Sequence, residues 1–235
     1  MKQLSSVLAV IIFTIIVSLG GTIDEISGKK PIKFWLINQE SNRQNYEFKL
    51  DETVYRSGSK SASIKSKPDY VESKTPGLLM QIIKADAFRG KRMRLSGFLK
   101  SENIEQGGLM FRIDGENMQV LGYDGMKNRF VKGSTEWNKY ELVLEVPAAA
   151  QQITFGALLK GTGQIWIDDL SFDEVGHEIP VTAEKPQDEQ AKGSAAYIEI
   201  YRSKNQEAYE NQLRAFEARN RTAPAAPANL NFESF

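Results

Sequence analysis

The stretch Lys139-Tyr-Glu-Leu-Val-Leu-Glu-Val146 alternates apolar and charged side chains along almost its whole length. Successive side chains of an extended chain point to opposite faces, so one face of this segment is apolar and the other is charged. The apolar face carries Tyr140, Leu142, Leu144 and Val146, and the charged face carries Lys139, Glu141 and Glu145. This pattern predicts a β-strand that packs one side on a core and exposes the other to solvent.

A period of two recurs through most of the chain between residues 31 and 175, interrupted by clusters of Gly, Ser, Asn, Asp and Lys. Seven candidate strands result, at residues 60–66, 77–84, 93–99, 108–114, 139–146, 152–159 and 164–172. Many short strands without a long helical period predict an all-β fold in which two antiparallel sheets form a sandwich or barrel.

Composition limits the possible functions of the chain. Its 235 residues, 41% of them hydrophobic, suffice for one ordinary domain with extensions. Thirty Lys and Arg balance thirty Asp and Glu, so no global positive field exists to hold a nucleic acid. The absence of cysteine excludes disulfides, thiolate nucleophiles and iron–sulfur clusters.

Residues 1–21 have the pattern of an export signal. Lys2 precedes a nearly unbroken apolar run from Leu8 to Val17, and small residues follow at Ser18 and Gly20. The run is shorter than the roughly 17–25 residues that span the hydrocarbon core, which favours a cleaved signal peptide. An uncleaved N-terminal membrane anchor is the alternative. Both predict that the folded part is outside the cytoplasm, either secreted or periplasmic, or anchored to the membrane.

The chain changes character after the last candidate strand. Residues 176–193 contain Pro and several acidic residues but little apolar content, which predicts a linker. Residues 194–220 have apolar side chains at helical spacing, which predicts one amphipathic helix with an interruption near Asn205. The helix could dock on the chain's own sandwich or bind a protein partner. The Pro- and Ala-rich residues 221–235 predict an extended or mobile tail.

No catalytic motif stands out. His177 is the single histidine and falls in the linker, where nothing would fix its orientation for acid–base work. The sequence contains no nucleophile elbow, phosphate-binding loop or zinc-protease motif. Asp and Glu are plentiful, but no particular pair indicates a glycoside hydrolase site. We therefore expect a protein that is not an enzyme.

Five segments, taken together and in order, resemble galactose-binding-like jelly rolls, which include many carbohydrate-binding modules of exported bacterial proteins. The segments are residues 55–63, 88–97, 123–133, 135–140 and 166–172, the last reading Trp-Ile-Asp-Asp-Leu-Ser-Phe. Two of them also resemble an uncharacterised bacterial version of this sandwich, found attached to transcription regulators or hydrolases. The resemblance covers residues 31–175 and implies a two-sheet jelly-roll sandwich. The resemblance predicts the fold better than the function, because proteins that share this sandwich have unrelated functions.

The resemblance also implies a structural calcium ion, since many of these jelly rolls hold one where the first and last strands meet. The candidate oxygen ligands are Asp168, Asp169, Glu40, Glu47 and Asp51. The alternative is that the Asp168–Asp169 pair accepts backbone N–H bonds at the ends of strands.

Sugar binding requires aromatic platforms and a few planar polar groups that hydrogen-bond hydroxyls. In residues 108–114, the inward set Leu109, Phe111 and Ile113 leaves Arg112 and Asp114 on the opposite, polar face. The candidate ligand contacts are Trp35, Gln81, Arg112, Asp114, Tyr123, Asp124, Asn128 and Arg129. An ordinary ion pair on a solvated face is the other interpretation of Arg112 and Asp114.

Three hypotheses for function follow. The first is an exported, non-catalytic binding module for a carbohydrate or a similar polyhydroxylated ligand. The second is a protein-interaction or assembly module that uses the sandwich and the C-terminal helix. The third is a carboxylate-dependent enzyme of the glycoside hydrolase type.

Overall fold

The computed structural model describes residues 32–37, 44–73 and 75–234. Nine strands are followed by two helices. The strands are β1 Leu36–Ile37, β2 Tyr46–Asp51, β3 Ser61–Ser66, β4 Gly77–Lys84, β5 Arg92–Asp114, β6 Val120–Asp124, β7 Val131–Glu145, β8 Gln152–Lys160 and β9 Gln164–Val175. The helices are α1 Gln187–Lys204 and α2 Gln206–Thr222. No helix in the described part is long and apolar enough to cross a membrane.

The long strand β5 belongs to two sheets. Its first part, Arg92–Glu102, pairs with β9, and its last part, Gln106–Asp114, pairs with β8. The first sheet therefore has the order β2-β3-β9-β5-β7 and the second has the order β1-β4-β8-β5-β6, all antiparallel. The predicted all-β fold of two antiparallel sheets is confirmed.

The core lies between the two sheets. Phe172 of the first sheet stacks on Phe155 of the second, with ring centroids 5.2 Å apart, and meets Phe111 edge-on at 5.4 Å. Leu142 and Leu144 of β7 are fully buried, as the alternation in this strand predicts. Each such side chain contributes roughly 1.5–3 kcal/mol when removed from water, which explains how the sandwich holds together without disulfides.

All seven candidate strands occur in the structure. Segments 93–99 and 108–114 are joined in β5, because the residues between them continue the extended chain as it passes from one sheet to the other. Three further strands, β1, β2 and β6, lie outside the seven candidates.

The helical region differs from the sequence prediction. The first helix begins at Gln187, directly after Pro186, within the segment assigned to a linker. Proline commonly precedes or opens a helix because its fixed φ suits the first turn. The helix ends at Lys204, because Asn205 has φ −143° and ψ 53°, which are not helical, and a second helix starts at Gln206. The two helices therefore meet at the interruption that the sequence predicts near Asn205.

Polar side chains attach α1 to the sandwich. The Gln187 amide accepts from the backbone N–H of Glu145 at 2.8 Å and donates to its carbonyl at 2.9 Å. One turn later Gln190 donates to the Tyr123 carbonyl, and Ser194 accepts from the Val120 N–H at 2.8 Å. Because β7 and β6 are edge strands of different sheets, α1 bridges the two sheets on one side of the sandwich.

The tail after α2 packs against the opposite side, where the sequence predicted an extended or mobile segment. The Pro224 carbonyl accepts from the N–H of Lys84 in β4, and the Leu230 carbonyl accepts from the N–H of Leu170 in β9. Phe232 is fully buried between the sheets. The tail therefore closes the second side of the sandwich. The predicted signal or anchor, residues 1–21, lies outside the described residues, and export remains a prediction.

Candidate functional site

The floor of the candidate site is the outer face of the second sheet. Arg112 and Asp114 alternate with core residues of β5, and Gln152 and Thr154 alternate with core residues of β8. The strand register places Arg112 opposite Thr154 and Asp114 opposite Gln152. Four polar side chains from two neighbouring strands therefore converge on one face.

The two helices form a roof over this floor. Tyr197 and Tyr201 of α1 stack on each other with ring centroids 6.0 Å apart. Tyr209 and Phe216 of α2 are nearly fully buried. A cavity of about 300 Å³ lies between roof and floor and is lined by all four aromatic rings and all four polar floor residues. Aromatic rings above planar polar groups are a common arrangement in sites for small molecules.

Arg112 and Asp114 form a buried ion pair on the cavity floor. The Arg112 Nη2 lies 2.7 Å from Asp114 Oδ1, and the Nε lies 2.8 Å and 2.9 Å from the two carboxylate oxygens. Burial alone would lower the pKa of Arg112, but the charge and hydrogen bonds of Asp114 raise it. Burial lowers the pKa of Arg219, a further cavity-lining guanidinium from α2.

Two buried polar atoms on the floor have unused hydrogen-bonding capacity. Gln152 is 2% exposed and Thr154 is 1% exposed. The Gln152 Nε2 and the Thr154 Oγ1 have no hydrogen-bond partner within residues 32–37, 44–73 and 75–234. Buried polar groups in folded proteins are nearly always hydrogen-bonded, and leaving one unsatisfied costs about 1–3 kcal/mol. These two groups can therefore serve a ligand that brings its own donors and acceptors.

Arg112 and Asp114 are the two sequence candidates that reach this cavity. The side of β5 predicted for them is the observed one, but this face is covered by the helices and is not solvated. Trp35 does not present a platform, because it is buried against Phe155 and Phe232, and its Nε1 donates to the Asn229 carbonyl at 3.0 Å.

Gln81 also has a different place from the predicted one. Odd-numbered residues of β4, such as Leu79, face the core, and even-numbered residues, such as Leu78, face outward. Gln81 is therefore on the core side of β4 and not on the outer face. Its amide forms a pair of hydrogen bonds with the backbone of Ala228 in the tail. Gln81 therefore holds the tail and does not line the cavity.

The remaining ligand candidates lie at the end of β6 and in the loop after it, and they do not line the cavity. Asp124 accepts from Arg129 Nη2 at 2.6 Å and from the Thr182 hydroxyl at 2.7 Å, so it ties this loop to the segment before α1. Burial raises the pKa of Tyr123 to about 12, and its ring packs on a small outer cluster of Leu78, Met110 and Leu158. Asn128 is exposed.

The aspartate pair of β9 is engaged by the loop after β2. Asp168 is fully buried and accepts the backbone N–H groups of Arg56 and Ser57 at 2.8 Å and 3.2 Å. Burial raises the pKa of Asp168 although these N–H groups oppose the shift. Asp169 accepts from the Arg56 guanidinium at 2.6 Å and from the Ser57 hydroxyl at 2.7 Å. Asp168 thus accepts backbone N–H bonds, as in the alternative to calcium binding, whereas Asp169 accepts from two side chains.

Two of the other calcium candidates, Glu47 and Asp51, lie on β2 of the first sheet. Asp51 accepts from the Trp166 indole at 2.9 Å, and Glu47 lies opposite Lys65 across β2 and β3. Glu40 lies outside the described residues. In the part of the chain that the structure describes, no three or more His, Asp or Glu side chains form a group that could hold a metal ion. Calcium binding remains a prediction.

Sequence analysis missed most of the cavity. Gln152 and Thr154 occupy the outward positions of the candidate strand 152–159, so the alternation of this strand already indicates their side. It did not indicate that β8 pairs with β5, which brings them next to Arg112 and Asp114. Local sequence does not specify which strands become neighbours.

No family model matches the chain. An uncharacterised HTH-type transcriptional regulator from Bacillus subtilis, YbfP, is 37% identical over 157 residues, which cover 66% of this chain and 52% of that protein. The chain therefore spans about half the length of this curated relative.

Several solved structures are similar to a lesser degree. A family 22 carbohydrate-binding module of Clostridium thermocellum Xyn10B is 14% identical, with a TM-score of 0.45 over 64% of this chain and 91% of that one. A tandem of such modules from Paenibacillus barcinonensis Xyn10C is 10% identical, with a TM-score of 0.47 over 66% and 44%. A domain of the bacteriophage CBA120 tailspike protein 4 is 16% identical, with a TM-score of 0.46 over 65% and 22%. At the level of fold, the sheet order described above agrees with the jelly-roll resemblance.

Proposed function

We propose that this protein is a non-catalytic β-sandwich module that binds a carbohydrate or a similar polyhydroxylated ligand in the cavity between the second sheet and the helices. The observation that carries the proposal is the pair of buried, unsatisfied groups on the cavity floor, Gln152 Nε2 and Thr154 Oγ1. A ligand rich in hydroxyls supplies both donors and acceptors to such groups.

The rest of the cavity supports the same ligand class. A sugar ring has apolar C–H faces and a polar rim, and the tyrosine rings of the roof offer flat apolar surfaces to those faces. The Arg112–Asp114 pair presents a rigid polar group at the floor. The cavity thus combines stacking surfaces on one side with hydrogen-bonding groups on the other.

The arrangement of carboxylates favours binding over turnover. Glycosidases place two carboxyl groups about 5–9.5 Å apart on either side of the scissile bond. In the described part of the chain, Asp114 is the one carboxylate that lines the cavity, and both of its oxygens accept from Arg112. A carboxylate held in this way is a poor proton donor or nucleophile.

Titration calorimetry with neutral monosaccharides and polyols tests the proposal. We expect Thr154→Val and Gln152→Leu to weaken binding by about tenfold or more, because each removes a hydrogen-bonding group of the site. Neither variant should be less stable than the parent by more than about 1 kcal/mol, because each also removes an unsatisfied buried polar atom.

Thr135→Val is the matched control for these variants. Its hydroxyl lies 2.9 Å from that of Ser101, away from the cavity, so its loss should leave ligand affinity unchanged. The proposal fails if the parent protein binds none of these compounds, or if the control and the two cavity variants lose affinity equally.

A further inference from the structure

The cavity reaches the surface at one end of the roof. Of the residues that line it, Ala208 and Asn211 are exposed, while all the others are buried or half-buried. These two residues are three positions apart on α2 and therefore lie on the same side of the helix. Beside them, Gln212 donates to the Tyr201 hydroxyl of α1 at 3.0 Å. The mouth of the cavity is therefore at the Ala208–Asn211 side of α2, near α1.

The polar floor lies on the sheet, beneath the two helices. Gln152 and Thr154 are almost fully buried under the helices, so a ligand must pass the helical roof to reach them. The rest of the outer sheet face is also covered. Its apolar residues Met80, Met110 and Leu158 are buried as well. An extended ligand therefore cannot lie along the sheet in this conformation.

The volume of the cavity imposes a second limit. Small-molecule pockets commonly span about 300–1,000 Å³. At about 300 Å³ this cavity is at the lower end of that range. One end leads to solvent and the other is closed by the sheet, so additional units of a longer ligand would remain outside the mouth.

We infer that the site recognises a single sugar ring that enters end-on between the helices, either a free monosaccharide or the terminal ring of a chain. This inference rests on the proposed function and makes it more specific. The two-helix roof excludes the internal rings of a polysaccharide, which have chain on both sides and would require an open groove.

A length series tests this specificity with the full chain. The probes are glucose, xylose and galactose, their di- and trisaccharides, and the corresponding soluble polymers, measured by titration calorimetry. For the preferred sugar we expect the affinity to stay within about threefold from monosaccharide to trisaccharide. Polymer binding should rise with the concentration of chain ends and not with total mass.

Two other outcomes have distinct meanings. An affinity that rises by about tenfold or more from mono- to trisaccharide would show an extended groove, which overturns end-on recognition and leaves carbohydrate binding in place. A failure of every sugar to bind would overturn the proposed function itself, and this inference with it.

Blocking the mouth gives an independent test. Ala208→Trp places a large ring at the exposed rim, so we expect affinity for the monosaccharide to fall by about tenfold or more with little change in the unfolding midpoint. Ala196→Trp is the matched control, since Ala196 is exposed on α1 and does not line the cavity. Equal affinities for the two variants would show that ligands do not enter here.

Discussion

The Arg112–Asp114 pair shows how strongly its surroundings determine what an ion pair contributes. Between exposed side chains such a pair is worth about 0–1 kcal/mol. Here the two side chains are 12% and 5% exposed and lie beneath two helices. The sequence predicts that changes at Arg112 affect a ligand and leave folding nearly intact. In the structure the same residues also support the fold. A buried charge that loses its partner is destabilising, because little water reaches it.

Removal of one partner should therefore be costly. We expect Asp114→Asn to lower the free energy of unfolding by about 3–5 kcal/mol, because it leaves the Arg112 charge buried without its carboxylate. Urea denaturation measures the change. The double variant Arg112→Met, Asp114→Leu should recover most of the loss, since it removes both charges.

The exposed pair of Lys139 and Glu141, 2.8 Å apart, provides the comparison. Glu141→Gln should change the free energy of unfolding by about 1 kcal/mol or less. Similar losses for Asp114→Asn and Glu141→Gln would mean that water reaches the buried pair freely.

The surroundings of Asp51 should make the stability of the folded protein depend on pH. Burial alone would raise the pKa of Asp51, but hydrogen bonds from Trp166, Thr53 and Val54 lower it from 3.8 to about 2. A carboxyl whose pKa is lower in the folded state stabilises the fold above its unfolded pKa and loses that contribution as the pH falls. The folded protein should therefore lose this stabilisation between about pH 4 and pH 2.

Urea denaturation at steps from pH 5 to pH 2 measures this effect. Asp51→Asn should show a smaller loss of stability over the same interval, because the amide does not titrate. Trp166→Phe removes one donor and should reduce the pH dependence in part. Identical pH profiles for the parent and Asp51→Asn would contradict the assignment.

At the scale of the strand, alternation determines which side chains carry the fold. Leu144 is fully buried between the sheets, and Lys139, at an odd-numbered position of the same strand, is exposed. We expect Leu144→Ala to cost about 2–5 kcal/mol through lost burial and the cavity that remains. Ile167→Ala in β9 should behave in the same way. Chemical denaturation with Lys139→Ala as control checks this, and a small loss at Leu144 would place it outside the core.

The same alternation explains how far sequence alone could go. It identifies seven strands and the inward side of β5, since these depend on the period of two within a segment. Pairing between strands depends on residues far apart in the chain, so the meeting of Arg112 with Thr154 could not be predicted. Docking of the helix on the sandwich was one of two alternatives, but the residues that attach α1 were not predicted, because Gln187, Gln190 and Ser194 dock through hydrogen bonds and form no apolar stripe.

At the scale of the whole molecule, both sides of the sandwich are closed by segments after the last strand. The first turns of α1 bridge β6 and β7, and the tail bridges β4 and β9. The Glu233 carboxylate accepts from the Ser59 N–H at 2.7 Å and from the Lys60 N–H at 3.1 Å, which fixes the end of the tail. Composition predicted an extended or mobile tail because it weighs all residues equally, while these contacts and one buried aromatic side chain hold the tail on the sandwich.

That residue is Phe232, and its removal tests whether the tail belongs to the folded unit. It is 0% exposed, and its ring lies 4.9 Å from that of Trp35. We expect Phe232→Ala to lower the free energy of unfolding by about 3–5 kcal/mol. Phe34→Ala, at a side chain that is 53% exposed, is the matched control and should cost about 1 kcal/mol or less.

Hydrogen exchange extends the test to the roof of the cavity. The tail follows directly from α2, so loosening it should speed exchange in residues 206–222 more than in the central strand β5. If Phe232→Ala is as stable as Phe34→Ala and α2 exchanges at the same rate in both, the tail does not hold the helix. In that case the hydrogen bonds of α1 alone would have to keep the roof above the polar floor.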